Sequence, residues 1–244
     1  MELRPYSMYF NKKDIYEDFK ILLKEEIHIP PNTEEKETKE IKGRNGSLTK
    51  RLKSYKDINV QLTFVIPARD VLDIRNIIDG ITDWLDIDNI EDNRLIFASN
   101  PYRYYRVKSI DYGDIEKQAT LCGDFKVNFT LEPFCYDVEE KEITLTEAAT
   151  IKNKGNVYSQ PFITIIPTEE IVSNFKILIN NEEFKIVDTV SYPVFLDNEL
   201  MECKSNNLFL NTQGEYPKLK KGNNTITFDN TKAIIKIKNV SRWK

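Results

Sequence analysis

The stretch that decides the fold is GRNGSLTKRLKSYKDINVQLTFVIP, residues 43–67. It begins with a turn framed by Gly43 and Gly46. Apolar residues then recur at every second position: Ile58, Val60, Leu62, Phe64 and Ile66. A period of two, with polar residues between, predicts a β-strand that buries one face. No residue in this stretch points to catalysis, so we interpret the turn and its strand as scaffold.

The segment that follows changes to a helical period. Between positions 70 and 86 the apolar residues form one stripe at 100° per residue: Val71, Ile74, Ile77, Ile78, Ile81, Trp84 and Leu85. Asp70 is the expected N-cap. The opposite face carries four aspartates: Asp73, Asp79, Asp83 and Asp86. The pattern predicts one amphipathic helix over residues 70–86 that packs on a sheet.

The rest of the first half predicts antiparallel strands. Alternating or β-rich runs lie at residues 94–98, 102–110 and 123–136, with turn signals between them. The polar run 32–42 predicts a solvated loop or an edge strand. Residues 1–140 are therefore expected to form an α+β domain, mainly antiparallel β with one main helix.

One segment of this domain stays open. The spacing of residues 15–26 allows a helix, but it also allows a turn followed by a strand through Ile21, Leu23 and Ile27. Pro30 and Pro31 then force an extended exit. The conformation of residues 12–28 is not decided by periodicity.

The second half contains no convincing helix. A polar run at residues 137–154 suggests a domain boundary, and short strands separated by turn residues recur beyond it. That rhythm predicts a β-sandwich over residues 141–244.

The composition excludes several classes of protein. The 35 basic and 39 acidic residues argue against a dedicated nucleic-acid binder. No apolar run approaches the ~20 residues that a bilayer span needs, and no secretory signal is visible. The three cysteines, Cys122, Cys135 and Cys203, lack metal-ligand spacing and are expected to be reduced thiols in a protein folded in a cytosol.

No catalytic constellation is visible either. His28 is the single histidine, so one chain cannot assemble a Ser–His–Asp triad or a His-rich metal site. A calcium loop that starts at Asp86 would need glycine and glutamate where Glu91 and Phe97 stand. GxSxG, P-loop and GxGxxG motifs are absent from the sequence. We therefore expect no enzyme activity, no cofactor and no metal.

The charges are distributed unevenly along the chain. Residues 70–93 hold eight acids and one base, whereas residues 204–244 hold nine bases and two acids. Such asymmetry suggests that the acidic face of one subunit meets the basic face of a neighbour.

The ordered set of motifs resembles the distal tail protein family of long-tailed, non-contractile bacteriophages. The matching segments are YFNKKDIYEDFKI (9–21), IKGRNGSLT (41–49), ITDWLD (81–86), RLIFASNPYRYYRVKSI (94–110), GDFKVNFTLEPFCY (123–136), NKGNVYSQPFITI (153–165), LKKGNNTITF (219–228) and the final RWK. The family often has glycine where Lys12 and Lys20 stand here. The resemblance favours a strand over a helix in residues 15–26.

The resemblance implies a structural role in the virion. Distal tail proteins form a homohexameric ring at the tail tip, built by the first domain, from which a galectin-like β-sandwich projects. The expected partners are further copies of the chain, the tail tube protein, the tape-measure protein and a tail-associated spike-like protein. In some phages the ring also holds receptor-binding proteins. The protein would be made in the host cytoplasm. It would bind no specific nucleic-acid sequence and would not associate with a membrane.

Two hypotheses concern particular residues. The acidic helix face, with Asp73, Asp79 and Asp83, is expected to border the ring channel and to repel passing DNA. As an alternative function, the second domain would bind host cell-wall sugars on aromatic side chains, for which the candidates are Tyr158, Tyr192, Tyr216 and Trp243.

Overall fold

The structure is a computed structural model that describes residues 4–66, 71–86, 88, 90–115, 119, 123–168, 174–229 and 231–244. Of Lys53 and residues 71–73 only the backbone is described. The expected N-cap Asp70 and the thiol of Cys122 lie outside these residues. The described chain is mostly β-strand with two helices. It forms two compact units, Met1–Val138 with Lys244, and Glu139–Trp243.

The first unit is built on one antiparallel sheet. Its strands are β1 (Met8–Phe10), β2 (Lys13–Asp14), β3 (Leu22–Leu23), β6 (Ile58–Val65), β7 (Arg94–Phe97), β8 (Arg103–Tyr112) and β9 (Asp124–Asp137). They lie side by side in the order β2-β1-β7-β8-β9-β6-β3. The predicted strand at residues 58–66 is confirmed as β6, in which Ile58, Val60, Leu62 and Phe64 are buried.

The predicted amphipathic helix is confirmed as α2 (Val71–Leu85). Ile78, Ile81, Trp84 and Leu85 are buried in the same hydrophobic cluster as the inner face of β6. The indole Nε1 of Trp84 donates a 2.8 Å hydrogen bond to the carbonyl oxygen of Phe10. The helix is therefore fixed to strand β1 by packing and by one buried polar contact.

Residues 12–28, whose conformation the sequence left undecided, contain a single helical turn, α1 (Ile15–Phe19). Asp14 caps it, because its side chain accepts from the backbone N–H groups of Tyr16 (2.8 Å) and Glu17 (3.1 Å). Lys20 then ends the helix in the left-handed region, at φ 58°. A long helix over residues 15–26 is therefore wrong, and the chain continues into the short strand β3.

Strands β4 (Glu34–Lys39) and β5 (Leu48–Tyr55) pair with each other in a separate two-stranded sheet. The turn between them contains Gly43 and Gly46, both at positive φ. We call residues 34–55 the arm. Every described side chain from Lys36 to Ser54 is exposed, whereas Tyr55 at the base of the arm packs against Phe134 with ring centres 5.4 Å apart. Of the two alternatives for residues 32–42, a solvated loop or an edge strand, the structure has a strand, β4.

The second unit contains two antiparallel sheets. One has the order β10-β20-β12-β15-β16-β17 and the other β11-β19-β13-β14-β18. Their bounds are β10 (Lys141–Leu145), β11 (Ala149–Asn153), β12 (Phe162–Pro167), β13 (Phe175–Ile179), β14 (Glu182–Ile186), β15 (Val194–Asp197), β16 (Glu202–Ser205), β17 (Leu208–Phe209), β18 (Thr212–Gln213), β19 (Gly222–Phe228) and β20 (Ala233–Asn239). A two-residue strand, β21 (Arg242–Trp243), follows. Inward-facing side chains of both sheets belong to one hydrophobic cluster.

Candidate functional site

The acidic face of α2 is a surface that the sequence predicts. Asp79 and Asp83 lie four residues apart and are both exposed, so the helix brings their carboxylates to one face. The side chain of Asp73, the third predicted member, lies outside the described residues. The opposite side of the helix is held in the core by Trp84 and Leu85. The carboxylates of Asp79 and Asp83 therefore face away from the sheet.

The acidic run continues beyond the helix, where Glu91 and Asp92 are paired with basic side chains. Glu91 forms an ion pair with Lys12, which lowers the pKa of the Glu91 carboxyl. Arg94 hydrogen-bonds to both carboxylate oxygens of Asp92 and lowers its pKa. The side-chain oxygen of Asn11 accepts from the backbone N–H of Glu91 at 3.0 Å. These contacts fix the loop after α2 and offset the charge of two of its acids.

The basic run of the second unit is also largely neutralised within the chain. Lysines along it form ion pairs with acids of their own unit: Lys204–Glu202, Lys220–Glu182, Lys232–Asp229, Lys236–Glu142 and Lys238–Glu140. Exposed pairs of this kind contribute little energy but cancel the local field. The idea that this run meets a neighbour's acidic face stays a prediction, and the pairing reduces the charge available for it.

The arm is an exposed surface that sequence reasoning missed, and its residues 34–55 carry seven basic and four acidic side chains. Residues 42–56 contain six basic residues and no acidic ones. Leu48 and Leu52 expose 47% and 45% of their surface, and Ile41 at the turn exposes 42%. The run of six bases is visible in the sequence, but the hairpin that presents it is not.

A groove of about 350 Å³ lies in the first unit. Three separate segments of the chain line it: residues 5–7, residues 23–27 and Ala98–Ser99. Leu23 and Ile27 supply apolar surface, and Glu25 and Glu26 are both exposed beside them. The groove therefore combines an apolar lining with two carboxylates.

The four aromatic candidates for sugar binding lie in different settings. Tyr192 is 58% exposed, and Tyr158 is 41% exposed with the guanidinium of Arg242 4.5 Å from its ring centre. Tyr216 packs against Phe184 at a centroid distance of 5.1 Å and contacts the core. Trp243 is half-buried. Whether any of them binds sugar stays a prediction.

Exposed aromatic side chains occur elsewhere on the second unit. Phe195 and Phe209 expose 46% and 68% of their surface. Both pair in register with Lys204 on β16, one from each side. The Lys204 ammonium lies 4.4 Å from the Phe209 ring centre. Alternation in β15 indicates that Phe195 faces out, but the pairing of β16 with β17 could not be inferred from sequence.

The described residues were compared with two requirements, a group of metal-ligating side chains and a helix that could span a bilayer. Among them, no group of three or more His, Cys, Asp or Glu side chains is placed to hold a metal ion. Across the same residues, no helix is both long and apolar enough to cross a bilayer.

Burial raises the pKa of the Cys203 thiol to about 11, and the charge of Asp188 adds to this. The Cys203 thiol therefore stays protonated near neutral pH.

Comparison with known proteins identifies the family. No curated protein matches the chain. The crystal structure of SPP1 Dit (gp 19.1), described as a paradigm of the hub adsorption apparatus in phages that infect Gram-positive bacteria, matches with a TM-score of 0.67 and 17% sequence identity. The match covers 99% of this chain and 100% of that chain, so the two share a fold. Residues 10–131, half of the chain, match the family model of the phage tail protein RIFT-related domain. The chain therefore belongs to this family of phage tail proteins.

Proposed function

We propose that the protein is a distal tail protein that assembles into a six-membered ring at the tail tip. The observation that carries this proposal is the likeness of fold to SPP1 Dit along nearly the whole of both chains. The family, which is one of phage tail proteins, supports the same location in the virion. The function needs complementary surfaces that close a ring, and no bond is made or broken.

We propose further that the two units divide the work. The first unit, which contains the family domain, builds the ring. The second unit is proposed to be a galectin-like β-sandwich that projects outward. Its two antiparallel sheets contribute to one hydrophobic cluster, as the sheets of a sandwich do.

The ring would join the tail tube to the spike-like protein, next to the tape-measure protein, and would carry receptor-binding proteins on its outer units. The test is native mass spectrometry and electron microscopy of the full chain, alone and co-expressed with the neighbouring tail proteins. We expect hexamers with a central channel. Protein that stays a single copy at high concentration, with and without those partners, would contradict the proposal.

The acidic face of α2 is proposed to border the channel. Asp79 and Asp83 are exposed, and like charges repel DNA most strongly at low salt. Phage carrying Asp79→Asn and Asp83→Asn should release DNA more slowly, measured as the rate of DNA ejection at low ionic strength. Asp111→Asn, which neutralises an exposed acid on β8, is the matched control. If the native phage, the phage with both Asp79→Asn and Asp83→Asn, and the control phage eject DNA at equal rates, the channel proposal is wrong. The ring proposal is not affected by that result.

Carbohydrate binding by the second unit is the alternative function. It is favoured by Phe195 and Phe209, which are both exposed and flank Lys204 on neighbouring strands, together with exposed Tyr192, because grouped exposed apolar side chains mark interaction sites more often than single ones do. A glycan array probed with the full chain should then show binding that Tyr192→Ala or Phe209→Ala weakens. Tyr102→Ala, at an exposed aromatic of the first unit, is the control. Absence of binding to host cell-wall glycans would exclude this alternative.

A further inference from the structure

The connection between β4 and β5, residues 40–47, contains an asparagine followed by a glycine, Asn45 and Gly46. No other glycine of the chain follows an asparagine. Both residues are exposed, and the connection joins two strands that form a separate two-stranded sheet. Such a sheet is marginally stable in water by itself. The backbone is therefore weakly held at the one place where the chain has this pair.

Few hydrogen bonds constrain the connection. The backbone N–H of Arg44 donates to the carbonyl oxygen of Ile41 at 3.1 Å. Within the described part of the chain, the side-chain amide of Asn45 and the backbone N–H of Gly46 have no hydrogen-bond partner. Gly46 also lines an open cavity of about 500 Å³, so water and hydroxide reach its amide. Local rearrangement of the backbone at this position therefore costs little free energy.

These two groups are the reactants of an intramolecular deamidation. Hydroxide removes the amide proton of Gly46, and the backbone nitrogen attacks the side-chain carbonyl carbon of Asn45. A bond forms between that nitrogen and Cγ, which closes a succinimide ring. The bond from Cγ to Nδ2 breaks, and the departing nitrogen takes a proton from water and leaves as ammonia. A water molecule then opens the ring at either carbonyl, which gives aspartate or isoaspartate.

The glycine makes the attack sterically possible. A β-carbon on the residue after an asparagine crowds the approach of the backbone nitrogen to the side-chain carbonyl, and Gly46 has none. Its φ is +80°, and no atom beyond its chain neighbours lies within 4 Å of the place that a β-carbon would occupy. The surroundings of Gly46 therefore leave room for the backbone to rotate into the reactive geometry.

Other exposed asparagines lie in turns that are held more firmly. Asn207 precedes Leu208, which pairs with Ser205 across a two-residue turn. Asn181 precedes Glu182, which pairs with Ile179 across another. In both cases the next residue carries a β-carbon and belongs to a strand ladder. Neither feature applies to Asn45.

We propose that Asn45 is a site of spontaneous deamidation, in which the backbone nitrogen of Gly46 is the nucleophile. This modification needs neither the proposed ring nor a partner protein. Residues 34–55 carry seven basic and four acidic side chains, so one further carboxylate lowers their net charge from +3 to +2. The isoaspartate product also inserts one extra carbon atom into the main chain, in the connection that sets the register of β4 against β5.

Peptide mass spectrometry of the full chain tests the proposal. The native chain is incubated in mildly alkaline buffer, sampled over days, separated by ion exchange and digested with trypsin. We expect an acidic species to accumulate, in which the peptide 45–50 gains the mass difference between a carboxyl group and an amide. Digestion in water enriched in the heavy oxygen isotope labels any conversion that occurs during the digestion. The peptide 205–218, which contains Asn207, should keep its amides.

Three variants identify the reacting groups. Asn45→Gln keeps an amide but would have to close a larger ring, so the acidic species should be lost. Gly46→Ala should slow the conversion, because its methyl group hinders the attack. Gly43→Ala is the matched control, since Gly43 has φ +86° and equally open surroundings but does not follow an asparagine. Circular dichroism shows that each variant is folded.

Each outcome decides the proposal. Conversion at Asn45 that Asn45→Gln abolishes, that Gly46→Ala slows and that Gly43→Ala leaves unchanged supports it. A native chain that keeps its Asn45 amide, over a period in which the free peptide of residues 41–49 is converted, overturns it. Equal conversion at Asn207, or equal slowing by the two alanine variants, overturns it as well.

Discussion

Replacing Lys20 tests how the first unit turns after α1. Lys20 has φ 58°, a region that an L-residue occupies at a cost of about 1–2 kcal/mol because its β-carbon crowds the backbone. Glycine has no β-carbon and does not meet this cost. Two variants separate that effect from the loss of the side chain: Lys20→Ala keeps the β-carbon, and Lys20→Gly removes it.

The magnitude follows from what each variant changes. Both lose the exposed ion pair between Lys20 and Glu17 at 3.4 Å, a contact that contributes about 0.2–0.5 kcal/mol. Lys20→Gly then gains about 1–2 kcal/mol from relief of the strain. It loses about 0.4–1 kcal/mol because glycine gives the unfolded chain more freedom. At the midpoints of these ranges, the free energy of unfolding of the glycine variant should be about 0.8 kcal/mol above that of the alanine variant.

Urea denaturation followed by tryptophan fluorescence measures this difference. Trp84 is buried and its ring centre lies 5.3 Å from that of Phe19 at the end of α1, so it reports on this turn. A Trp243→Phe background leaves Trp84 as the only tryptophan, since the chain has two. Lys24→Gly and Lys24→Ala, at a position without positive φ, are the control pair, and there glycine should be the less stable.

The refuting result is an alanine variant at Lys20 that equals or exceeds the glycine variant in stability. In the interior of a helix, glycine is about 1 kcal/mol less stable than alanine. That result would mean that the helix continues through Lys20, as the periodicity of residues 15–26 allowed.

Three further predictions concern buried residues of the two units, including the titration of the Cys203 thiol. Trp84→Phe leaves the buried carbonyl of Phe10 without its donor and opens a cavity, so it should lower the free energy of unfolding by about 2–4 kcal/mol in circular dichroism melts. Gly155→Ala should destabilise the second unit, because the added β-carbon would stand 2.2 Å from the carbonyl oxygen of Arg242, and a thermal melt unchanged from the native one would contradict this. Because burial raises the pKa of the Cys203 thiol to about 11, its contribution to stability is complete below about pH 9 and is lost as the pH rises towards 11. Denaturation midpoints of Cys203→Ala should therefore fall less steeply over that range than those of the native chain.

Elements that bury one face could be predicted from the sequence. In β6 every second residue is buried, and in α2 the buried residues follow the helical stripe, so burial leaves a period in the sequence. The arm leaves no such period, because neither of its faces is buried. Its polar first strand therefore resembled a loop as much as an edge strand.

Features made of separated segments could not be predicted. The groove depends on residues 5–7, residues 23–27 and Ala98–Ser99, which only the folded sheet brings together. The positive φ of Lys12 and Lys20 was difficult to predict for a different reason. A turn at positive φ is usually recognised by glycine, which lysine does not signal, and the indication at these two positions came from the glycine that the resembling family often has there.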